Sequence, residues 1–407
     1  MKNRFLFICL FITSFCFAQK TIKGTVYEVS GPLEGVAVYL NNSMLGTTTN
    51  TDGTFSFPVK EGEYDLIISY LGYKKINYPL NTSTYKKPLV FALVEEENIL
   101  DEIIIKKTVY DDKWKYNLST FKRAFIGRTE MAEGCEILNP KVIYFNFDAK
   151  NNILTAFARK PLEIRHRSLG YKIIYELEEF VIHKNQVTYL GYSRYKNSKG
   201  NKRKQRKWQK NRLKTYSGSF THFYQTLLKK TTYAEGFLIH LFKRVPNPDR
   251  PSEKEIKRAR QLIRLSGSQI NFSIKIEAPK TMLDSAIITL RKIKLPKFKD
   301  QIYKTKAPIN DIISKKLNTT YLTFKDNILV VYTKEKEEKG YILRNVFSKM
   351  RKAYPQSSSI ISQRTPTPID QKGILVRPLD VFYEGYWSYE KFANSLPLDY
   401  VPPINMQ

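Results

Sequence analysis

Thr49-Asn50-Thr51-Asp52-Gly53-Thr54-Phe55 joins a turn to the start of a strand within seven residues. Asn50 to Gly53 are turn formers, and Thr54 to Val59 then alternates apolar and polar residues over strand length. The same grammar repeats on both sides. Ile22 to Tyr27, Gly35 to Leu40, Tyr64 to Tyr70 and Pro88 to Leu93 have strand character, and Ser30-Gly31-Pro32 and Glu61-Gly62 punctuate them. Short strands at this spacing predict a small antiparallel β-sandwich over residues 20–94.

Glu95-Glu96-Glu97 opens an acidic linker over 95–107, which carries a strand-like Ile103-Ile104-Ile105. Charge divides the chain at the same place. The 407 residues have a formal charge of +30, yet residues 19–107 hold 9 Lys and no Arg against 11 acids, so the excess lies in 108–407. Residues 108–407 are therefore expected to form a basic domain, where an anionic partner would bind. With 42% hydrophobic and 13% aromatic residues the chain is too apolar for disorder.

At the other end of the sandwich, Lys2 and Arg4 precede an almost wholly apolar run from Phe5 to Phe17, and Cys16-Phe17-Ala18 stands where signal peptidase reads. Residues 1–18 read as a secretory signal peptide. Cys9 and Cys16 follow Ile8 and Phe15, not the small residue a lipoprotein signal needs. The mature chain from Gln19 has no later apolar stretch of membrane-spanning length and keeps Cys135 alone, expected as a buried small hydrophobe.

In the basic part, Trp114, Leu118, Phe121 and Phe125 mark one face of a helix. Val142 to Phe147, Ile153 to Ala158, Leu162 to His166, Tyr171 to Ile182 and Val187 to Tyr192 predict a meander of antiparallel strands. A helix is expected over Ser219 to Lys230, and a strand from Gly236 to Val245. Ser252 and Glu255 form a capping box that opens a helix through about Leu265. From Gln269 onward β-type runs resume, including Tyr321 to Phe324 and Ile328 to Tyr332. The fold class is thus β-rich α+β: a transthyretin- or Ig-like sandwich followed by a basic antiparallel-sheet α+β domain.

Gly24-Thr25-Val26, Pro32 to Val38, Gly46-Thr47, Thr49 to Phe55, Tyr64 and Ser69-Tyr70-Leu71-Gly72-Tyr73 together resemble the carboxypeptidase regulatory-like domain, a transthyretin-like sandwich. That resemblance implies an exported gram-negative protein, since such domains also stand at the N-termini of TonB-dependent outer-membrane receptors. Leu100 to Ile105 looks like the stretch found after the domain there. The remainder is similar to exported proteins of unassigned activity, through Phe125 to Thr129, Cys135 to Pro140, Ser168 to Ile173, Trp208, Asn211-Arg212, Tyr216 to Ser219, His222-Phe223, Gly385 to Ser388 and Leu396 to Tyr400. Some 300 residues after the linker are too few for a receptor's plug and 22-stranded barrel.

No zinc-peptidase signature accompanies the domain. His166, His183, His222 and His240 form no HExxH, no CxxC occurs, and Glu163 and His166 fall on opposite faces of a strand. No metal or other cofactor is expected, and carboxypeptidase activity is not. GxSxG and Gly-rich phosphate loops are absent. The most distinctive constellation is Trp208, Asn211, Arg212, Tyr216, Ser219 and His222. Ser219 reads either as a helix N-cap or as part of an anion site in which His222 acts as base. Beside it, Arg194 to Lys214 packs 11 cations into 21 residues without one acid, and reads as an exposed loop. Lys202, Arg203, Lys204, Arg206 and Lys207 are its densest part.

These features favour a non-enzymatic binding or scaffold protein of the periplasm, outer-membrane periphery or cell surface. It would recognise an anionic glycan, lipopolysaccharide or an acidic envelope protein, and export argues against nucleic acid. The alternatives are an envelope-polymer hydrolase using Arg212 to His222 and an accessory to TonB-linked uptake.

Overall fold

The fold was obtained as a computed structural model, which describes residues 20–96, 109–184, 186–267, 276–317, 319–344 and 349–403. The expected signal peptide, most of the linker with Ile103 to Ile105, and Gln269 lie outside the described residues. Two compact units emerge: residues up to Ser217 with Tyr389 onward, and Gly218–Ser388.

The first unit begins with a two-sheet sandwich. β1 (Lys20–Glu28) pairs antiparallel with β5 (Thr54–Val59) and with the short β2 (Gly31–Pro32), and parallel with β8 (Leu89–Ala92). The second sheet runs in the order β4 (Gly46–Thr48), β3 (Ala37–Leu40), β6 (Glu63–Ser69), β7 (Ile76–Asn81). Alternation on β1 and β5 sends Ile22, Val26, Phe55, Phe57 and Val59 inward against Val38, Leu40, Leu66 and Ile68, a core made wholly from the sandwich. Gly53 holds φ +70, and a Cβ there would meet the Val26 carbonyl oxygen at 2.5 Å, so the Asn50–Gly53 turn requires glycine. Because the core is complete without other residues, the excised segment 20–94 should melt in one cooperative transition; a non-cooperative melt would show that the sandwich depends on the basic remainder of the chain.

In the same unit, α1 (Asp112–Phe125) is capped by Asp111, whose side chain accepts the Trp114 N–H. Its Phe121 and Phe125 bury against a six-stranded sheet of β9 (Cys135–Ile137), β10 (Ile143–Asp148), β11 (Ile153–Ala158), β12 (Leu162–His166), β13 (Tyr171–His183) and β14 (Gln186–Asn197). The strands are antiparallel, but they do not follow the simple meander expected. β13 is long enough that β12 pairs with its first half and β11 with its last residues, while β14 lines its whole other edge. Phe392 returns from the C-terminal segment to stack on Phe125 at 4.6 Å.

The second unit carries the sheet β16 (Phe298–Lys304), β15 (Phe237–Pro246), β19 (Asn327–Lys336), β20 (Pro355–Ser362), β22 (Val381–Gly385), and a smaller sheet of β17 (Ile313–Lys316), β18 (Thr319–Leu322) and β21 (Thr367–Ile369). Two helices belong to the first unit's end and the second unit's start: α2 (Lys202–Tyr216) and α3 (Phe220–Lys229). Phe223, Tyr224 and Leu227 of α3 enter the core with Ile239, Val330, Ile360 and Trp387. α4 (Glu253–Ser266) opens on the expected Ser252–Glu255 capping box. A further helix, α5 (Met282–Arg291), stands where only strands were expected, and the Thr281–Asp284 capping box is the sequence signal for it.

Candidate functional site

The dense basic run is not a loop. Arg194 to Asn197 end β14, and Lys202 onward is α2, capped by Asn201, whose side chain accepts the Lys204 N–H at 3.0 Å. At 100° per residue, Trp208, Asn211 and Arg212 share one side of this helix while Lys202, Arg203, Arg206, Lys207 and Lys210 share the other. The first side docks on the turn between β12 and β13. The Trp208 indole N–H donates to the Arg167 carbonyl at 2.9 Å, Asn211 Nδ2 to Ser168 at 2.7 Å, and Arg212 Nε to Leu169 at 2.7 Å. Arg212 also reaches the Gly170 carbonyl and the Asn197 side chain, with its guanidinium 3.9 Å from the centre of the Tyr171 ring. The Trp208 ring covers Gly170, where a Cβ would come within 2.1 Å of it.

The second side is solvated. Lys202, Arg203, Arg206, Lys207 and Lys210 are exposed, as is Lys204, which falls between Asn211 and Trp208 in projection; none makes an ion pair among the described residues, whereas Lys214 binds Glu130 at 2.7 Å. Such a face opposes the helix's own energetics. Lys202/Arg206, Arg203/Lys207 and Arg206/Lys210 are like-charge pairs at i,i+4, each unfavourable by about 0.2–0.5 kcal/mol, and three cations crowd the positive end of the dipole. The polar anchors on the opposite side fix the helix regardless.

The rest of the constellation lies in the core or at a helix cap. Tyr216 is buried beside Tyr400, with ring centres 5.9 Å apart. Ser219 is the N-cap of α3, accepting the His222 N–H at 3.2 Å. The His222 ring is buried against Phe237 and Tyr332, and its Nδ1 accepts the Gly218 N–H at 3.2 Å. Glu235 stands 3.9 Å from Nε2, beyond hydrogen-bond range, and also faces Lys334 at 3.8 Å. Burial, with Lys334 and Lys229 nearby, holds the imidazole pKa down at about 4. His166 is likewise held at about 4 by burial; its Nε2 donates to the Ala393 carbonyl and its Nδ1 accepts the Leu169 N–H. Both rings are depressed in the folded state, so the stability they contribute is complete above about pH 6.5 and is lost as pH falls toward 4. Thermal melts should show that loss, and His222→Gln should flatten part of it. An unchanged pH profile in this variant would contradict the assignment.

Cys135, expected buried, is partly buried against the core under α1, and desolvation pushes its thiol up to about 12. On β12, Glu163 faces solvent while His166 is buried, as the odd spacing requires. Among the described residues no three His, Cys, Asp or Glu side chains converge, and no helix is long and apolar enough to cross a membrane.

One constellation had no sequence signal. The outer face of the second sandwich sheet lies against β13 and β14 within the first unit. Glu176, buried on β13, accepts the Tyr39 hydroxyl at 2.9 Å and the Ser69 hydroxyl at 2.7 Å, and faces Lys75 at 3.4 Å. Lys75 also pairs with Glu178. Burial opposes charge on Lys75, but the Glu178 hydrogen bond and the Glu176 charge raise its pKa overall. Backbone bonds close the seam: Asn42 N–H to Ser193 O at 2.7 Å and Tyr195 N–H to Ser43 O at 2.8 Å.

Comparison with known proteins bears on the sandwich. Residues 22–105 match the CarboxypepD_reg-like domain family. The TonB-dependent receptor SusC of Bacteroides thetaiotaomicron is 30% identical over 98 residues, 24% of this chain and 9% of the receptor. The TonB-dependent receptor P39 of Formosa agariphila is 32% identical over 89 residues, 22% of this chain and 8% of the receptor. The matched stretch is less than a tenth of either receptor's length. The N-terminal sandwich is a carboxypeptidase-regulatory-like domain, similar to regions of TonB-dependent receptors and joined here to a strongly basic remainder.

Proposed function

We propose that this chain is an exported, non-enzymatic binding or scaffold protein of the cell envelope, and that the outer face of α2 holds an anionic envelope component such as lipopolysaccharide or an acidic glycan. The observation that carries this reading is the exposed row of cations from Lys202 to Lys210 of α2, none of which makes an ion pair among the described residues, on a helix whose other side is anchored by Trp208, Asn211 and Arg212. Similarity to receptor regions supports an envelope location. It also favours a second reading, an accessory to TonB-linked uptake that meets an acidic protein through the same face. The hydrolase alternative finds less support, because His222 is enclosed and its Nδ1 is occupied.

Replacing Lys202, Arg203, Lys204, Arg206 and Lys207 with Gln tests the proposal. Each cation near an anionic lipid surface contributes about 1 kcal/mol, so affinity for lipopolysaccharide vesicles should fall at least about a hundred-fold. The melting temperature should hold or rise, since like-charge repulsion is relieved. Undiminished binding would overturn the proposal; capture of an acidic protein without vesicle binding would favour the second reading.

A further inference from the structure

The seam between the sandwich and β13–β14 encloses a cleft of about 340 Å³, in the size range of small-molecule sites. It is separate from the outer face of α2. Its walls are the Tyr70–Tyr73 turn on the sandwich side, and the β11–β12 turn with Arg194 of β14 on the other. The lining carries four cations, Lys75, Arg159, Lys160 and Arg194, against the carboxylates of Glu96 and Glu176.

Partners for these charges are unevenly distributed. Glu176 is occupied by Tyr39, Ser69 and Lys75, and Arg159 lies over the Tyr144 ring at 4.7 Å. Arg194 is different. Its guanidinium sits 5.5 Å from the Tyr39 ring centre, its Nε is buried without a hydrogen-bond partner, and no carboxylate among the described residues comes within 4.0 Å. Lys160, across the cleft and exposed, makes no ion pair among the described residues either. A buried charged donor left unmatched is costly, and a guanidinium is matched best by the two oxygens of a carboxylate. Tyr70, Leu71, Tyr73 and Pro161 supply apolar surface beside it.

We propose that this cleft binds a small organic carboxylate, with Arg194 and Lys160 taking the carboxylate and the tyrosine turn covering the apolar body. The site lies where the sandwich meets the sheet, so an occupant that prefers the closed seam stabilises the first unit.

Calorimetric titration of the full mature chain at fixed ionic strength tests this, with benzoate, its neutral analogue benzamide, and inorganic phosphate as probes. Benzoate should bind in the millimolar range at one site and benzamide at least tenfold more weakly. Arg194→Gln should weaken benzoate at least tenfold and Lys160→Gln about threefold to tenfold, and the α2 Gln variant should bind it like the parent. The last result separates this site from the polyanion reading. Equal binding of benzoate and benzamide, or no benzoate binding, would overturn the proposal. Phosphate binding as tight as benzoate would overturn the carboxylate assignment. Should Arg194→Gln fail to fold, unchanged affinity in Lys160→Gln, an exposed position, is itself contradictory.

Discussion

Glu176→Ala is expected to destabilise the first unit by about 3–5 kcal/mol, because it removes the buried carboxylate of a charge network and leaves the Tyr39 and Ser69 hydroxyls without their acceptor. Three groups converge on that carboxylate: the Tyr39 hydroxyl, the Ser69 hydroxyl and the Lys75 ammonium. Glu176 is 5% exposed, so water compensates little for what is lost. Tyr39→Phe removes a single neutral donor to a charged acceptor and should cost about 1.5–3 kcal/mol. Glu136→Ala serves as the contrast. That carboxylate holds Arg165 and Arg167 at 2.8 Å but is half exposed, so solvent screens the pairs and its loss should cost far less than that of Glu176. Denaturant titrations of the three variants check the ranking. A Glu176→Ala effect no larger than that of Glu136→Ala would show that the seam is not a structural contact.

Gly170→Ala is expected to be nearly as damaging and to act at a distance. Gly170 holds φ +69, and its Cβ would come within 2.1 Å of Trp208 Cδ2. The left-handed conformation alone costs a non-glycine residue about 1–2 kcal/mol. Expelling Trp208 then breaks the anchors at Arg167, Ser168 and Leu169 together, for a total of about 3 kcal/mol or more. Gly72→Ala is the control, since Gly72 holds φ +88 with nothing within 4 Å of an added Cβ, and it should show the backbone cost only. Tryptophan fluorescence and hydrogen exchange across α2 distinguish the outcomes. Protection of α2 undiminished in Gly170→Ala would mean that the turn does not hold the helix.

Where apolar alternation and turn chemistry agreed, as at β5, β11 and β12, sequence boundaries coincide with the structure. β2 and β4 are too short to show a period, and β7 is interrupted by Pro79, which argues against a strand in sequence. α2 lacks an apolar period for a different reason. Its docked face is Trp208, Asn211 and Arg212, and two of these are polar anchors that an apolar period does not register. The basic residues were recognised, but their placement on a helix rather than a loop depends on carbonyls of a turn some forty residues earlier in the chain. Glu176 escaped notice because β13 is covered on both faces, Tyr175 and Leu177 on the α1 side and Glu176 on the sandwich side. Which sheet covers a strand's second face is a tertiary fact that alternation within the strand does not carry.

The central claim, that the outer face of α2 binds an envelope polyanion, is tested most directly by measuring the affinity of the protein for lipopolysaccharide as salt is raised. Contacts made by exposed cations are screened over about 8 Å at physiological ionic strength, so affinity should fall steeply from low salt to about 0.3 M and converge there with that of the α2 Gln variant. Affinity independent of salt, or identical in parent and variant throughout, would contradict it.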